Sequence, residues 1–218
     1  MPKTKQDFIG ELDIETEKYD SRPSQEKLEE TVRNLENNNF DVKVVEDREE
    51  ALEAVKDEIE DEASVMTGHS TTLEEIGFID YLNTGGHSWK NLYGKVFSID
   101  DDEERNRQRR KAQASDYFLG SLNAIASTGE LVAADRSGSR VGAYPFAAEN
   151  LVLVSGTNKI TEDLEAARER LWKYAYRLEN ERAKAEYGAE SAVAKELTFR
   201  QDSPGRTTLI LVKETLGF

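Results

Sequence analysis

Five segments of the chain predict helices, the first two from apolar residues at helical spacing and the fourth from acidic residues at its start and basic residues at its end. In residues 24–39, for example, Leu28, Val32 and Leu35 share one face, Ser24 is placed to start the helix, and an asparagine run ends it. Gly85 and Gly86 are expected to close the third helix in the same way. The fifth is predicted as one long helix with Thr161 as its N-cap. The five predicted helices occupy residues 24–39, 48–63, 71–86, 101–114 and 160–188.

Short apolar runs between these segments predict β-strands. Residues 40–45 alternate between polar and apolar side chains. Residues 64–68 (SVMTG) predict a short buried strand, and residues 149–156 contain the continuous apolar run LVLV. Residues 149–156 are the best candidate for a central strand. From residue 115 onward, short apolar runs separated by Gly, Ser and Asp predict further strands and tight turns, and residues 206–218 predict a closing strand.

Strands that alternate with helices at this spacing predict βαβ units and a parallel sheet, which is the α/β fold class. Residues 1–23 are polar and are expected to form an N-terminal arm. Residues 24–218 contain no internal repeat and no segment with the composition of a linker. We therefore predict a single domain over residues 24–218.

The charge balance is strongly acidic, with 44 Asp and Glu against 29 Lys and Arg and a net charge of -15. Such a field repels nucleic acids and anionic membranes. The basic run at residues 105–111 is therefore interpreted as a solvated helix end. Self-repulsion is screened at high salt, where the Debye length falls to about 3 Å at 1 M. A salt-adapted (halophilic) host is our hypothesis, and an acidic mesophilic protein is the alternative.

The chain has no cysteine and two histidines. Disulfides, thiolate catalysis and cysteine-ligated iron–sulfur clusters are thereby excluded, and no cofactor is predicted. Two histidines without a matching carboxylate pattern do not predict a metal site. No apolar stretch approaches the roughly 18 residues that span a bilayer, and the N-terminus lacks a signal-peptide core. These features predict a cytoplasmic protein.

A candidate anion-binding loop follows the buried strand at residues 64–68. Gly68 permits close approach of a ligand to the backbone, and Ser70, Thr71 and Thr72 supply hydroxyl groups at the start of a helix. The alternative is an ordinary capping box, formed by Thr71 with Glu74 or by Ser70 with a nearby acidic residue.

A second candidate region spans residues 123–145, which are rich in glycine. Arg136 and Arg140 lie next to Gly-Ser turns and are suited to bind a carboxylate or phosphate. Glu130 follows Thr-Gly at a strand end, where it could act as acid, base or nucleophile. The alternative is a hairpin whose Arg and Asp side chains pair on the surface. Lys159, after the predicted central strand, is placed to reach an anion at the carboxyl edge of a parallel sheet.

Three segments together resemble the lactate-utilisation (LUD) domain family, which includes lactate-utilisation protein C. They are residues 68–82 (GHSTTLEEIGFIDYL), 114–171 and 207–218 (TTLILVKETLGF). The resemblance covers roughly residues 25–180 and the last dozen residues. It implies a NagB/RpiA/CoA-transferase-like fold, which is a three-layer α/β/α arrangement. The family is associated with the oxidation of lactate to pyruvate, in which sibling proteins carry iron–sulfur clusters.

The chain departs from the family pattern in three places. Many relatives carry a cysteine-rich segment between the long helix and the last strand, whereas residues 183–205 contain none, so any metal or redox role of that segment is lost. Gly138, Ser139 and Arg140 stand where many relatives have Gly-Asn-Arg, so contacts of that amide are in doubt. His69 stands where relatives often have a small residue, and it either narrows the loop or adds a donor.

The resemblance and the residues together predict an accessory protein of lactate oxidation that binds a small anionic metabolite. Gly68, Ser70, Thr71 and Thr72 are expected to cradle the anion, Arg140 and Lys159 to neutralise it, and Glu130 to be the catalytic acid or base if the protein is an enzyme. The full set of predicted ligand-binding residues is Gly68, His69, Ser70, Thr71, Thr72, Asn123, Thr128, Gly129, Asp135, Arg140, Asn158 and Lys159.

Two other functions are left open. One is a true enzyme of the superfamily, a sugar-phosphate isomerase, CoA-transferase or folate cyclo-ligase. The other is a non-catalytic interaction protein for iron–sulfur partners. A homo-oligomer is compatible with each of the three.

Overall fold

The computed structural model describes residues 5–218 and is built around a six-stranded sheet in the order β1-β10-β7-β4-β2-β3. All neighbouring strands in it are parallel. The predicted central strand is β7, which lies between β10 and β4. The six strands are β1 (Asp41–Val45), β2 (Ser64–Thr67), β3 (Lys90–Asn91), β4 (Tyr117–Gly120), β7 (Asn150–Gly156) and β10 (Thr207–Val212).

A second, smaller sheet has the order β8-β5-β6-β9. Its β5–β6 and β6–β9 pairs are antiparallel, whereas β5 and β8 are parallel. Sequence analysis missed β9, which lies within residues 183–205, because the side chains of this strand are mostly polar. The four strands are β5 (Ala124–Ala126), β6 (Leu131–Asp135), β8 (Ile160–Thr161) and β9 (Lys195–Phe199).

Ten α-helices surround the two sheets within the described residues. Short 3₁₀ turns occupy residues 112–114 and 157–159, and π-helical turns occupy residues 143–147 and 171–175. The α-helices are α1 (Lys5–Glu11), α2 (Thr16–Tyr19), α3 (Gln25–Asn37), α4 (Arg48–Glu58), α5 (Thr71–Glu75), α6 (Phe78–Thr84), α7 (Leu92–Phe97), α8 (Asp102–Lys111), α9 (Leu164–Arg170) and α10 (Tyr176–Tyr187).

Alternate side chains of the central strands face two separate cores. Leu209 and Leu211 of β10 pack in one core with residues of α3, α7 and the second sheet. Ile210 and Val212 face the other core, which is filled from α4, α5 and α6. This alternation is the period of two along a strand. The predicted three-layer α/β arrangement with a mostly parallel sheet is confirmed.

Two predicted helices differ in detail from the structure. The helix expected over residues 71–86 is broken at Gly77, whose φ of 76° is left-handed and separates α5 from α6. The long helix is capped by Asp163, which accepts a hydrogen bond from the Ala166 N–H, so Thr161 was the wrong cap. Thr161 instead belongs to β8.

The N-terminal segment packs on the domain. Phe8 and Tyr19 are buried against Tyr174 and Leu178. The first four residues of the predicted arm lie outside the described part, and its boundary at residue 23 stays a prediction. No helix in residues 5–218 is long and apolar enough to cross a membrane.

Candidate functional site

The carboxyl ends of β2, β4, β7 and β10 meet at one edge of the central sheet, because the strands are parallel and adjacent. This edge is where open α/β folds bind ligands. The segments that leave β2, β4 and β7, together with the N-terminal segment and the end of α9, carry a buried group of polar side chains, which we call the edge cluster. Its members are Lys5, Asp20, Thr72, Ser121, Asn158, Lys159 and Arg170.

Lys159 lies at the centre of the edge cluster and is only 1% exposed. It follows β7 in a 3₁₀ turn that directs its side chain back under the sheet edge. Its ammonium nitrogen donates to Thr72 Oγ1 at 3.0 Å, Ser121 Oγ at 3.1 Å and the Leu122 carbonyl at 3.0 Å. All three acceptors are neutral, so the charge of Lys159 is solvated by hydroxyl and carbonyl oxygens without a carboxylate in contact.

Arg170, at the end of α9, is the second buried cation and is 0% exposed. It donates to the backbone carbonyls of Tyr19 at 2.7 Å and of Asn123. Its Nη2 atom is buried without a hydrogen-bond partner. The nearest carboxylate oxygen to Nη2 is Asp20 Oδ1 at 3.7 Å, and the guanidinium also lies 5.0 Å from the Tyr174 ring centre.

Asp20 is the carboxylate that directly contacts these cations in the described part of the chain. Its two oxygens accept from Lys5 Nζ at 2.9 and 2.8 Å, and Oδ1 also accepts from Asn158 Nδ2 at 2.7 Å. The edge cluster therefore holds three basic side chains, of which Lys5 and Arg170 share the Asp20 carboxylate and Lys159 has only neutral partners. This surplus of basic over acidic groups is unusual, because buried charges in proteins are normally paired.

The electrostatic surroundings change the pKa values of these cations. Burial holds the pKa of Lys159 well below its usual value, and the charges of Arg170, Lys5 and Arg140 lower it further, while Glu75 opposes the shift. Burial likewise lowers the pKa of Arg170 to about 10, against the attraction of Asp20. Removing water from a cation disfavours its charged form, and each additional cation nearby does the same.

The segment that follows β10 covers the edge cluster. The Leu216 N–H donates to Asn158 Oδ1 at 3.1 Å, and the Gly217 N–H donates to Glu75 Oε2 at 2.7 Å. Lys5 Nζ donates to the Gly217 carbonyl at 2.6 Å. These contacts hold the segment across the sheet edge.

Gly217 lies directly on the polar centre of the site. A Cβ atom at this position would lie 2.9 Å from Lys159 Nζ and would clash with Thr72 Oγ1, and its φ of 60° is left-handed. Only glycine therefore fits without displacement. A ligand that reaches Lys159 has to shift this segment.

The predicted loop at residues 68–72 contributes to the site in part. Thr72 is buried and contacts Lys159 and Ser121, whereas Ser70 caps α5 by accepting from the Leu73 N–H at 3.3 Å. Thr71 is half-buried at the first position of α5. Because α5 has only five residues, its own dipole is small, and the hydroxyl of Thr72 is the main contribution of the loop.

His69 and Gly68 lie beside the edge cluster. His69 Nδ1 is 3.2 Å from Glu74 Oε1, and its Nε2 is buried without a partner. The hydrogen bond to His69 lowers the pKa of Glu74. Gly68 is covered by the aliphatic part of Arg140, with which a Cβ atom would clash. Glycine is required here for the arginine to pass, which is a packing role.

Arg140 and Asp135 form a turn next to the loop. Asp135 accepts from the backbone N–H groups of Arg140 at 3.0 Å, Val141 at 3.2 Å and Gly138. The Arg140 guanidinium donates to the Ala134 carbonyl at 2.7 Å. Asp135 thus stabilises the turn at residues 135–141, which we call the glycine turn. All three of these hydrogen bonds come from backbone N–H groups.

The remaining predicted residues lie along the β5–β6 hairpin. Asn123 bridges the hairpin by accepting from the Ala134 N–H at 2.8 Å, and its carbonyl contacts Arg170. Glu130 is at the other end, where it accepts from Arg200 Nη1 at 2.9 Å and Thr128 Oγ1 at 2.5 Å. Gly129 has a φ of 103° in the intervening turn. Glu130, Thr128 and Gly129 therefore lie outside the edge cluster.

Sequence analysis missed four members of the edge cluster. Ser121 follows β4, just as Lys159 follows β7, and its position after a buried strand was a usable signal. Arg170 lies on the apolar face of α9 with Ala167 and Leu171. An arginine on an apolar helix face is a usable signal for burial, because a solvated arginine lies on the polar face. Lys5 and Asp20 come from the polar N-terminal segment, and no local pattern singles them out.

Two open cavities on the surface are lined by residues outside the edge cluster. A cavity of about 630 Å³ borders the amino-terminal sides of β2 and β3 and is lined by Lys56, Tyr81, His87 and Trp89 among others. A second, of about 420 Å³, is lined by Arg22, Thr157 and Lys213 among others, next to the carboxyl ends of β7 and β10. Within residues 5–218, no group of three or more His, Asp or Glu side chains is arranged to hold a metal ion.

Comparison with known proteins agrees with this architecture. A crystal structure of a DUF162 family protein from Deinococcus radiodurans is similar, with a TM-score of 0.53 and 13% sequence identity, over 87% of this chain and 99% of that chain. At this identity the similarity concerns the fold alone. No curated protein matches the chain. The family model of the LUD domain matches residues 28–212. The chain belongs to the LUD domain family.

Proposed function

We propose that this LUD-domain protein binds a small anionic metabolite at the edge cluster, as an accessory to the oxidation of lactate to pyruvate. The observation that supports it most is the pair of buried cations around one contacting carboxylate. Lys5 and Arg170 share Asp20, and the Nη2 atom of Arg170 has no hydrogen-bond partner.

An anion would balance this charge. The penalty for burying an unpaired ion is several kcal/mol after relaxation, and it falls when an opposite charge with good hydrogen bonds is nearby. A carboxylate could accept from the free Nη2 of Arg170 and approach the Lys159 ammonium. The hydroxyls of Thr72 and Ser121 already lie beside that ammonium at 3.0 and 3.1 Å and would orient a polar group of the ligand.

The link to lactate oxidation is supported by membership of the LUD family. Iron–sulfur proteins of lactate oxidation are the macromolecular partners that we propose. Among the predicted residues, Lys159, Thr72 and Asn158 belong to the proposed binding site, with Ser121 and Arg170 added from the structure. Glu130 forms an ion pair with Arg200 outside this group, which gives a catalytic role for it no support.

The proposal is tested by thermal shift in molar KCl against sugar phosphates, CoA thioesters, folates, lactate and pyruvate. A ligand at 100 times its Kd should stabilise the protein by about 2.7 kcal/mol. Stabilisation should be lost in Ser121→Ala with Thr72→Val and kept in the control Thr128→Val, whose hydroxyl lies outside the edge cluster. Stabilisation by no anion, or equal stabilisation of all variants, would contradict binding at this site.

A further inference from the structure

Lys159 differs from the other buried cations of the edge cluster in having only neutral partners. Lys5 contacts Asp20 in an ion pair, and Arg170 lies 3.7 Å from the same carboxylate. Lys159 has two hydroxyls and one carbonyl as partners. Its neutral amine keeps favourable contacts with these groups, because it can donate two hydrogen bonds and accept one from a hydroxyl.

The groups that face Lys159 from the surrounding elements are predominantly basic. They are Arg170 from α9, Lys5 from α1 and Arg140 from the glycine turn, against Glu75 from α5. Asp20 is engaged by Lys5 and Asn158. This environment favours the neutral, nucleophilic form of a lysine amine.

Lys159 and Arg170 lie near each other, and Arg170 is the neighbouring charge with the largest effect on the pKa of Lys159. They donate to the carbonyls of consecutive residues, Leu122 and Asn123, so the amine and the guanidinium lie along the same short stretch of backbone. The guanidinium retains the unpartnered Nη2. The Lys159 amine can attack a carbonyl carbon, and the unpartnered Nη2 of Arg170 can donate a hydrogen bond to a carboxylate. Together they match a molecule in which a carbonyl carbon is bonded to a carboxylate.

We propose that Lys159 forms a covalent imine with the carbonyl carbon of a small 2-oxo acid whose carboxylate is bound by Arg170. This inference rests on the proposed function, because it assigns the anion bound at the same site to a chemical class. The hydroxyls of Ser121 and Thr72 lie within hydrogen-bond distance of the reacting nitrogen and are placed to transfer protons.

The reaction needs no oxidant, reductant or further reactant. The lone pair of the neutral amine attacks the carbonyl carbon, so that a C–N bond forms while the C=O π bond breaks. The oxygen takes up a proton and the nitrogen loses one, which gives a carbinolamine. The hydroxyl group then leaves as water with a second proton, and the remaining product is a C=N bond between Lys159 and the 2-oxo acid.

The experiment is reductive trapping of the full-length protein with pyruvate and cyanoborohydride, followed by peptide mapping by mass spectrometry. We expect Lys159 to carry most of the label and the exposed Lys173 little of it, because burial favours the neutral amine of Lys159. Lactate, which has no carbonyl group, is the matched ligand control and should give no adduct. Mapping the wild-type protein locates the adduct without relying on a variant.

Lys159→Arg places a permanent cation at this position and cannot form the imine, so the adduct should be lost at residue 159. Its fold is checked by circular dichroism. A thermal shift with pyruvate is measured on the same wild-type sample. If pyruvate stabilises the protein but the label is spread over exposed lysines, the imine is disproved and the proposed anion binding stands. If pyruvate neither stabilises the protein nor labels Lys159, while another anion stabilises it, the 2-oxo acid assignment is wrong. If no anion of the panel stabilises it, both proposals fail.

Discussion

The edge cluster and the turn around Glu130 both contain charged side chains close to strand ends, yet their environments are opposite. Lys159 and Arg170 are buried at the carboxyl edge of the central parallel sheet, among segments that come from four strands. Glu130 lies in a hairpin turn of the second sheet, with the mostly exposed Arg200 as its partner. The difference between them indicates that a charged residue after a strand is buried among other polar side chains when the strand belongs to the sheet whose edge gathers several segments.

The largest expected effect comes from removing one arginine from each region. Arg170→Ala removes two hydrogen bonds to backbone carbonyls and leaves a cavity, so we expect a loss of about 3–5 kcal/mol in the free energy of unfolding. Arg200→Ala removes an exposed ion pair and should cost about 0–1 kcal/mol. Urea unfolding of both variants measures the difference. Equal losses would mean that the two regions are energetically alike.

Removing the hydroxyls of Thr72 and Thr128 compares the same two regions with a smaller expected effect on stability. Thr72→Val removes an acceptor that serves Lys159 and Ser121, so a buried donor is left unsatisfied at a cost of about 1–3 kcal/mol. Thr128→Val should change stability by no more than about 0.5 kcal/mol. Chemical denaturation with an unchanged m-value checks both. A neutral Thr72→Val would indicate that Lys159 finds another acceptor.

The depressed pKa of Lys159 predicts a pH dependence of stability. Between that pKa and 10.5 the unfolded chain binds more protons than the folded one, so the Lys159 contribution to stability rises with pH and levels off above 10.5. The slope is at most about 1.4 kcal/mol per pH unit. Lys159→Met should flatten this rise in unfolding free energies measured from pH 7 to 10. An identical slope in both proteins would show that Lys159 is charged in the folded state.

Salt is expected to separate the two regions with the smallest effect. Molar KCl screens exposed charges, so the cost of Arg200→Ala should vanish while that of Arg170→Ala persists. The wild-type melting temperature should rise between dilute buffer and molar KCl if the acidic surface is an adaptation to salt. A melting temperature that does not rise would count against a salt-adapted host.

Much of the fold could be predicted because its elements have strong local signals. The helix at Gln25–Asn37 begins after Ser24, whose side chain accepts from the Lys27 N–H, and the apolar run of β7 indicated a buried strand. Hydroxyls and a lysine after buried strands likewise pointed to Thr72 and Lys159. These signals arise from neighbours along the chain, so they are readable in the sequence.

The rest of the site depends on tertiary placement. Asp20 and Arg170 are separated by 150 positions and meet only because the N-terminal segment packs against α9 and α10. The apolar and polar pattern of β6 does not indicate which sheet the strand joins. Glu130 was therefore predicted to be catalytic, whereas the hairpin that carries it lies in the second sheet. Such pairings are set by long-range packing, which periodicity does not encode.

The most direct test of anion binding at the edge cluster is a crystal structure of the protein with pyruvate at saturating concentration. The account predicts electron density for the ligand between Lys159 Nζ and Arg170 Nη2, with the segment after β10 displaced from its contact at Gly217. Density at the Tyr81–Trp89 cavity instead, or an edge cluster unchanged and without ligand, would contradict it.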